Sequence, residues 1–500
     1  MESFEDFLDI SHKKETLDPD EIMSNGKRIR LNAKQFEAVQ TGEEFLSGNE
    51  QFITFAGSAG TGKTTVSKAI LAKAKRVSVV VTAPTHKAKK VVAEATGYDA
   101  FTIHKIIGLR PDTNLEEFTQ DNVLFSLKGK SLLYEYDVLL VDEASMLPKA
   151  LVDLMKQKAR QFGIKIIFLG DPRQLPPVKE ERSTVFTDPE IKVFWLEKVE
   201  RQTVGNPLIT LYDKILTHID AIDHATYKKL LTPDDYQLLS SKPYENNSDI
   251  TADGIGYEFF QNTKEFGAVV MQHFKIGEDT DNKVLCWSNA TVSKYNDAIR
   301  NKLLGDKSLP PQVGELIMGY ASVSDPDDWR KSLLENSAQY MIKSVEKGYK
   351  THCDVDDKPA KAIEGYYVTM CDTDDDYETE KKIFIVAKES YVDLCNVEKG
   401  YSDFAKTAKP TNKGWAWKTY FDWRGKFQLL GDIVDNSGNK LVKKDVDYAY
   451  AQTVHKSQGS TYKNVFVIQG DIERCEEAVL RNRLLYVALS RPRYGAYILI

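Results

Sequence analysis

Cysteine is scarce in this chain: there are five in 500 residues, Cys286, Cys353, Cys371, Cys395 and Cys475, and no Cys-x-x-Cys pair. That scatter excludes a disulfide scaffold and a structural zinc site, and it fits a reducing cytoplasm. Long apolar runs are missing too; none approaches the ~18 residues a membrane span needs. The opening residues, Met1-Glu2-Ser3-Phe4-Glu5-Asp6, are acidic and lack the charged-then-apolar layout of a signal peptide. Basic residues are not in excess, since 67 Lys and Arg stand against 74 Asp and Glu, a net charge of −7. A nucleic-acid coat, basic overall, is thereby disfavoured. A basic track on an acidic body is not, because phosphate contacts depend on local Lys and Arg. Internal repeats and low-complexity tracts are absent. What remains is an ordinary globular composition, 42% hydrophobic and 28% charged. The length suggests roughly three domains.

Against that background one stretch stands out. Gly57-Ser58-Ala59-Gly60-Thr61-Gly62-Lys63-Thr64 is a complete Walker A loop, glycine, four residues, then Gly-Lys-Thr. Phe52–Phe55 before it is short, apolar and β-prone, and Thr65 to Ala74 after it reads as a helix. In that context the N–H groups of the turn, from Gly57, Gly60, Thr61 and Gly62 onward, converge on a phosphate at a helix N-terminus. Lys63 would reach the β- and γ-phosphates of a nucleotide, Thr64 would hold Mg²⁺, and Thr65 would open the helix beside them. The alternative is a Gly-rich turn that binds nothing; the agreement of strand, loop and helix speaks against it.

Two further strand ends carry polar groups. Val138-Leu139-Leu140-Val141 runs into Asp142-Glu143, and in a parallel sheet that end faces the same edge as the phosphate loop. Asp142 would reach Mg²⁺ and Glu143 would orient and deprotonate the attacking water, the two side chains alternating along the strand. Ile166-Ile167-Phe168-Leu169 runs into Gly170-Asp171-Pro172-Arg173-Gln174-Leu175-Pro176-Pro177. There Asp171 and Gln174 would touch the γ-phosphate, with prolines stiffening the exit. Phosphoryl transfer also draws on a cation, and Arg201 and Arg491 are the candidates.

Alternating strands and helices from 50 to about 200 imply a parallel sheet, with strands at Phe52–Phe55, Val77–Val81, Val138–Val141, Ile164–Leu169 and Val193–Leu196. Residues 105 to 133 interrupt it as an inserted hairpin or subdomain. A second set, Lys283–Trp287, Val465–Ile468 and Tyr497–Ile500, reads as another α/β domain. It is split by a β-rich insertion at about 311 to 430, with a small barrel as the expected form. Trp415, Trp417, Tyr420, Phe421 and Trp423 cluster there near Lys418 and Arg424. They suit either a single-strand platform or, as favoured, the core of the small β domain. Asp372 to Asp376 hints at a calcium loop, but Tyr377 and Ile383 stand where glycine and glutamate belong. Residues 1 to 30 read as a loosely ordered lead-in. Phe4, Phe7 and Leu8 fit one face of a short helix, so a docking peptide is the alternative.

In order and wording the set resembles superfamily 1 helicases of the 5′-to-3′ branch, closest to the Dda-like helicases of T-even-type phages. The resemblance covers Leu31 to Ile500. Leu31-Asn32-Ala33-Lys34-Gln35 resembles the Q motif, which implies that Gln35 reads adenine. Ala83-Pro84-Thr85-His86-Lys87 resembles motif Ia and Thr102-Ile103-His104 motif Ib, which implies single-stranded DNA contacts from Pro84, Thr85, His86, Lys87, Thr102 and His104. Asp142 to Ser145 and Gly170 to Pro177 resemble motifs II and III. Leu196 to Arg201 resembles motif IV, with Arg201 as an arginine finger. Tyr450 to Ser460 resembles motif V, with Thr453, His455 and Lys456 towards DNA and Gly459 towards nucleotide. Tyr486 to Arg491 resembles motif VI, with Arg491 as the second finger.

The resemblance implies an α/β fold of two tandem RecA-like parallel-sheet domains with ATP and Mg²⁺ in the cleft between them. It assigns 31–190 to the first domain, 105–133 to its inserted pin with Phe125 stacking at the fork, 191–310 and 431–500 to the second domain, and 311–430 to an inserted SH3-like β domain. The implied partners are single-stranded DNA and forked duplex DNA, with replication proteins as further partners and no membrane. One chain carries both half-sites, so a monomer suffices, in the cytoplasm (that of the host if the chain is viral). A small-molecule kinase or GTPase has no use for Arg491 or for Val454 to Gly459, and no Asn-Lys-x-Asp guanine motif is present. A translocase that strips protein from DNA shares the whole engine and stays open as the alternative.

Overall fold

In the computed structural model the described residues are 18, 20–24, 27–74, 77–83, 92–93, 96–98, 100–109, 131–196, 207–220, 248–278, 281–306, 308–324, 332–353, 362–373, 379–409, 411–434 and 440–500. The first sheet is wholly parallel. Its strands lie in the order Ala100–Thr102, Val79–Ala83, Val138–Val141, Lys165–Gly170, Phe52–Gly57 and Lys192–Leu196. These strands read as continuous apolar runs because both faces are covered. Ile166 and Phe168 enter one core with the helix Lys149–Phe162. Ile167 and Leu169 enter the other with the helices Ala33–Ser47 and Lys63–Lys73. The phosphate-loop strand is paired on both sides and all but fully buried, which fixes where the loop begins.

The second sheet has the order Ala451–Thr453, Asn282–Cys286, Tyr462–Ile468, Pro492–Leu499, Gly256–Phe260 and Ser248–Ile250, parallel except for its last pair. One face packs on the helices Pro207–Asp220 and Ala478–Leu489, the other on Thr263–His273 and Asn289–Leu304. The chain is thus two parallel α/β domains in tandem.

An antiparallel sheet follows the order Glu380–Val386, Ile363–Asp372, Gln339–Lys350, Leu316–Gly319 and Val446–Tyr448. Gln428 bridges to Ile385 at one edge and Leu430 to Val446 at the other, so residues 428–430 close the sheet into a small barrel. Its final strand lies beyond residue 430. The barrel also shares a core with the second domain, where Tyr340, Val368 and Ile383 meet Phe266 and Phe466.

Among its described residues the inserted segment holds two α-helices besides its strands, Tyr391–Thr407 and Lys413–Arg424. The aromatic cluster lies on the second of these, so helical spacing decides its fate. Ala416 and Trp423 are buried and Tyr420 is half-buried, at i, i+7 and i+4 on one face. Trp423 stacks on Tyr401 at 4.9 Å. Trp415 and Phe421 face outward, 61% and 46% exposed. The cluster is part core and part surface, where one core had been expected.

Candidate functional site

The phosphate loop leaves its strand at Gly57, where a Cβ would stand 2.6 Å from the Thr61 hydroxyl and 2.9 Å from the Leu196 carbonyl. Gly60 and Gly62 both take left-handed backbone, φ 85° and 84°, which glycine adopts without strain. Gly62 caps the helix Lys63–Lys73 with no side chain, so the cap itself leaves the first N–H groups of that helix open. Thr64 and Thr65 are half-buried on its first turn. The Lys63 ammonium lies back across the loop, donating to the carbonyls of Gly57 (2.7 Å) and Ser58 (3.0 Å).

Gln35 braces this loop from the first helix. Its Oε1 accepts from the Asn32 N–H (3.1 Å) in a capping box, and its Nε2 donates to the Thr61 carbonyl (3.1 Å). A Cβ on Gly62 would meet that same Nε2 at 2.4 Å. The nearness of Gln35 to the loop therefore requires glycine at 62.

Asp142 and Glu143 follow the strand Val138–Val141, half-buried in the cleft. Glu143 holds φ 52°, left-handed backbone that is uncommon for a side-chain-bearing residue, and its N–H donates to Asp142 Oδ1 (2.9 Å). Dehydration is the largest effect on both. It raises the Asp142 carboxyl, against the Glu143 N–H and the Lys63 charge. It lifts Glu143 to about 7, helped by Asp142 and Asp171 and opposed by Arg491 and Lys63. Lys63 comes from the first domain and Arg491 from the second, so Glu143 feels a cation from each.

The second domain meets this site through one helix and one turn. The Tyr486 hydroxyl accepts from the Ala59 N–H (2.8 Å) and donates to Asp171 Oδ2 (2.7 Å). Gln458 Nε2 donates to Gln174 Oε1 (3.2 Å), and Arg483 donates to the Glu181 carbonyl (3.1 Å). Ala59 and Leu175 of the first domain are built into the apolar core of the second. Arg491 is buried; it donates to the carbonyls of Val487 (3.0 Å) and Ser460 (3.2 Å) and to Ser490 Oγ (3.0 Å). Gly459, at φ 73°, lies next to that Ser460 anchor.

The residues expected towards nucleic acid fall into two groups. Pro84, Thr85, His86, Lys87 and Phe125, with the pin tip, lie outside the described residues, and so does Arg201. Thr102 caps the short helix Ile103–Ile107 that contains His104, at the end of the edge strand Ala100–Thr102. Thr453 ends the strand Ala451–Thr453 at the edge of the second sheet, and its hydroxyl accepts from the Lys456 N–H (3.4 Å). Burial pushes His455 below the usual imidazole range, which leaves a neutral ring at pH 7. The Lys456 ammonium is engaged within the chain, by Asn336 Oδ1 (2.6 Å), Ser337 Oγ (3.3 Å) and the Tyr320 ring 4.4 Å away.

Three contributors carried no role in the reading from sequence. Arg173 donates to Ser58 Oγ and so ties the turn after Gly170 to the phosphate loop. Gln458 and Tyr486 make the crossings already described. The one signal for Tyr486 is a hydroxyl in the apolar run Leu484-Leu485-Tyr486-Val487-Ala488-Leu489, which must find a partner if buried.

Residues 30–220 match the AAA domain family and residues 448–499 the UvrD-like helicase C-terminal domain. The ATP-dependent DNA helicase dda of Enterobacteria phage T4 is 26% identical over 468 residues, 90% of this chain and 95% of that one. The ATP-dependent DNA helicase Pif1 of a Psychrobacter strain is 34% identical over 196 residues, 35% of this chain and 28% of its own. Among solved structures, Bacteroides Pif1 bound to ssDNA aligns over 92% of this chain and 91% of that one, with 18% identity and a TM-score of 0.45.

Proposed function

We infer from the two joined half-sites, and from the likeness along 90% of the chain to a phage helicase, that the protein is an ATP-dependent DNA helicase of superfamily 1, on the 5′-to-3′ branch. The observation that carries this reading is the cleft itself. Phosphate loop and paired carboxylates come from one domain, while Arg491, Tyr486 and Gln458 reach it from the other. A nucleotide held between two domains is converted into motion when its hydrolysis changes how tightly they close.

In this reading the loop N–H groups and Lys63 grip the phosphates, Gln35 braces the loop beside the adenine, and Glu143 takes the proton of the attacking water. Thr64 and Asp142 offer the oxygen ligands that Mg²⁺ takes, and two dehydrated carboxyls side by side suit a divalent cation. Such a cation would neutralise charge on the phosphates. Arg491 and Arg201 are assigned to the transition-state charge. Single-stranded DNA is assigned to the motif Ia, Ib and V positions, Pro84 to Lys87, Thr102, His104, Thr453, His455 and Lys456, with Phe125 at the fork. Removal of protein from single strands is the second reading, since the same engine drives it.

Two outcomes are expected. ATP hydrolysis rises with single-stranded DNA by at least roughly tenfold, the scale of coupling between linked sites. A forked duplex with a 5′ tail is separated, and one with only a 3′ tail is not. Hydrolysis indifferent to DNA would defeat the motor reading; separation from the 3′ tail alone would reverse the polarity; translocation with no strand separation would favour the remodeller.

A pH dependence follows from Glu143. Its carboxyl must be ionised to accept a proton, and its folded value is raised to about 7, chiefly by dehydration. The kcat/KM for ATP therefore falls about tenfold per pH unit below that value and levels off above it. A flat profile down to the ordinary carboxylate range would remove Glu143 as the base.

A further inference from the structure

We propose that Tyr486 is a positioning residue for hydrolysis, whose hydroxyl keeps the phosphate loop and the turn after Gly170 in one register and makes that register depend on where the second domain sits. The proposal rests on the motor reading above.

The geometry is a closed circuit. Tyr486 sits within the helix Ala478–Leu489, with no exposed surface and its ring in the apolar core of the second domain. Its hydroxyl is fully engaged, accepting from Ala59 N–H and donating to Asp171 Oδ2. Asp171 is itself fully buried, and its other oxygen accepts from the Arg173 N–H (3.0 Å). Arg173 then returns to the loop through Ser58 Oγ. Ser58 and Ala59, adjacent in the loop, are thus both tied to Asp171-Pro172-Arg173, one inside the first domain and one through the second.

The same helix sets the catalytic cation. Ser490 N–H donates to the Tyr486 carbonyl (3.0 Å), and Arg491 Nε is held by the Val487 carbonyl. A shift of this helix therefore moves the Arg491 guanidinium and the Ala59–Asp171 bridge together. A ring without its hydroxyl would keep the packing and break only the bridge. It would leave a buried N–H and a buried carboxylate oxygen each short of a partner, a loss felt most where geometry must be held tightly.

The test is Tyr486→Phe in the full chain, measured as steady-state ATP hydrolysis with and without single-stranded DNA, beside wild type. With saturating DNA, kcat falls about tenfold, the worth of one or two buried hydrogen bonds in a barrier, while KM for ATP stays within about twofold. The ratio of DNA-stimulated to unstimulated rate falls as well. Asp171→Ala removes the acceptor of the same bond and serves if the phenylalanine variant does not fold. The double variant is no slower than the slower single, because both act through one bridge. A lowered Tm with wild-type kcat and wild-type DNA stimulation would leave Tyr486 a packing residue and overturn the proposal. Wild type that ignores DNA would instead count against the motor reading, and the kcat comparison would still test the bridge.

Discussion

Lys63→Ala lowers ATP turnover by at least roughly 10³-fold, measured as kcat with saturating single-stranded DNA. The ammonium is already delivered to the loop, where it lies within hydrogen-bond reach of the Gly57 and Ser58 carbonyls. Those two neutral acceptors attract the ammonium less than phosphate oxygens do, which carry the opposite charge. Exchanging carbonyl for phosphate therefore favours the bound state and favours it more as charge grows on the leaving oxygens. Alanine removes that gain and also one of the two cations that act on Glu143. The fold has little stake in this side chain, which is half-buried at a helix start and makes no salt bridge among the described residues. Tm is accordingly expected to stay within a few degrees of wild type. Turnover within tenfold of wild type would remove Lys63 from the reaction.

The domain cores were legible because parallel strands buried on both faces announce themselves. Val138–Val141 falls where the apolar run falls, residue for residue. Other strands slip by a residue or two. The run at Val77–Val81 becomes a ladder at Val79–Ala83, since pairing begins where Val79 meets Val138. The last strand opens at Pro492, well before the expected Tyr497, because a proline is tolerated as a first residue and the ladder to Tyr462 starts there. The strand Gly256–Phe260 lacks a strong periodic signal and takes its form from packing on the second sheet, whereas the helix Pro207–Asp220 carries Leu208, Leu211, Ile215 and Ile219 at helical spacing towards that sheet. The aromatic helix Lys413–Arg424 lies in a segment expected to be β-rich, and there the 3.6-residue spacing of its buried residues makes a helix.

Each half of the candidate site was readable because its chemistry is local, a glycine pattern or a strand end. The joins between the halves were not. Tyr486 and Asp171 are 315 residues apart, and Gln458 and Gln174 are 284 apart. No spacing rule spans such distances. A buried hydroxyl in an apolar helix tells that a partner exists without telling which.

Arg491→Ala lowers kcat by about 10³-fold or more, the scale of an arginine supplied to a phosphoryl-transfer transition state, and leaves ATP affinity within a few-fold. The side chain is buried and pre-oriented. Its fork is held by the Val487 and Ser460 carbonyls and Ser490 Oγ, all within the second domain. Its charge nonetheless lowers the carboxyl of Glu143 in the first domain, more than Lys63 does. Its charge thus acts on the acidic floor of the cleft from anchors that lie within the second domain. A cation placed this way contributes only when the cleft is closed, which separates kcat from binding. Arg491→Lys restores little, because an ammonium cannot span three anchors in a fixed plane. A second readout comes from pH. Without Arg491 the Glu143 carboxyl loses the larger of its two opposing cations and titrates above its present value of about 7. The residual rate of Arg491→Ala then rises through a higher pH than that of wild type. An unchanged pH midpoint, with kcat near wild type, would mean that the guanidinium never reaches the site, and the two domains would not share one catalytic cleft.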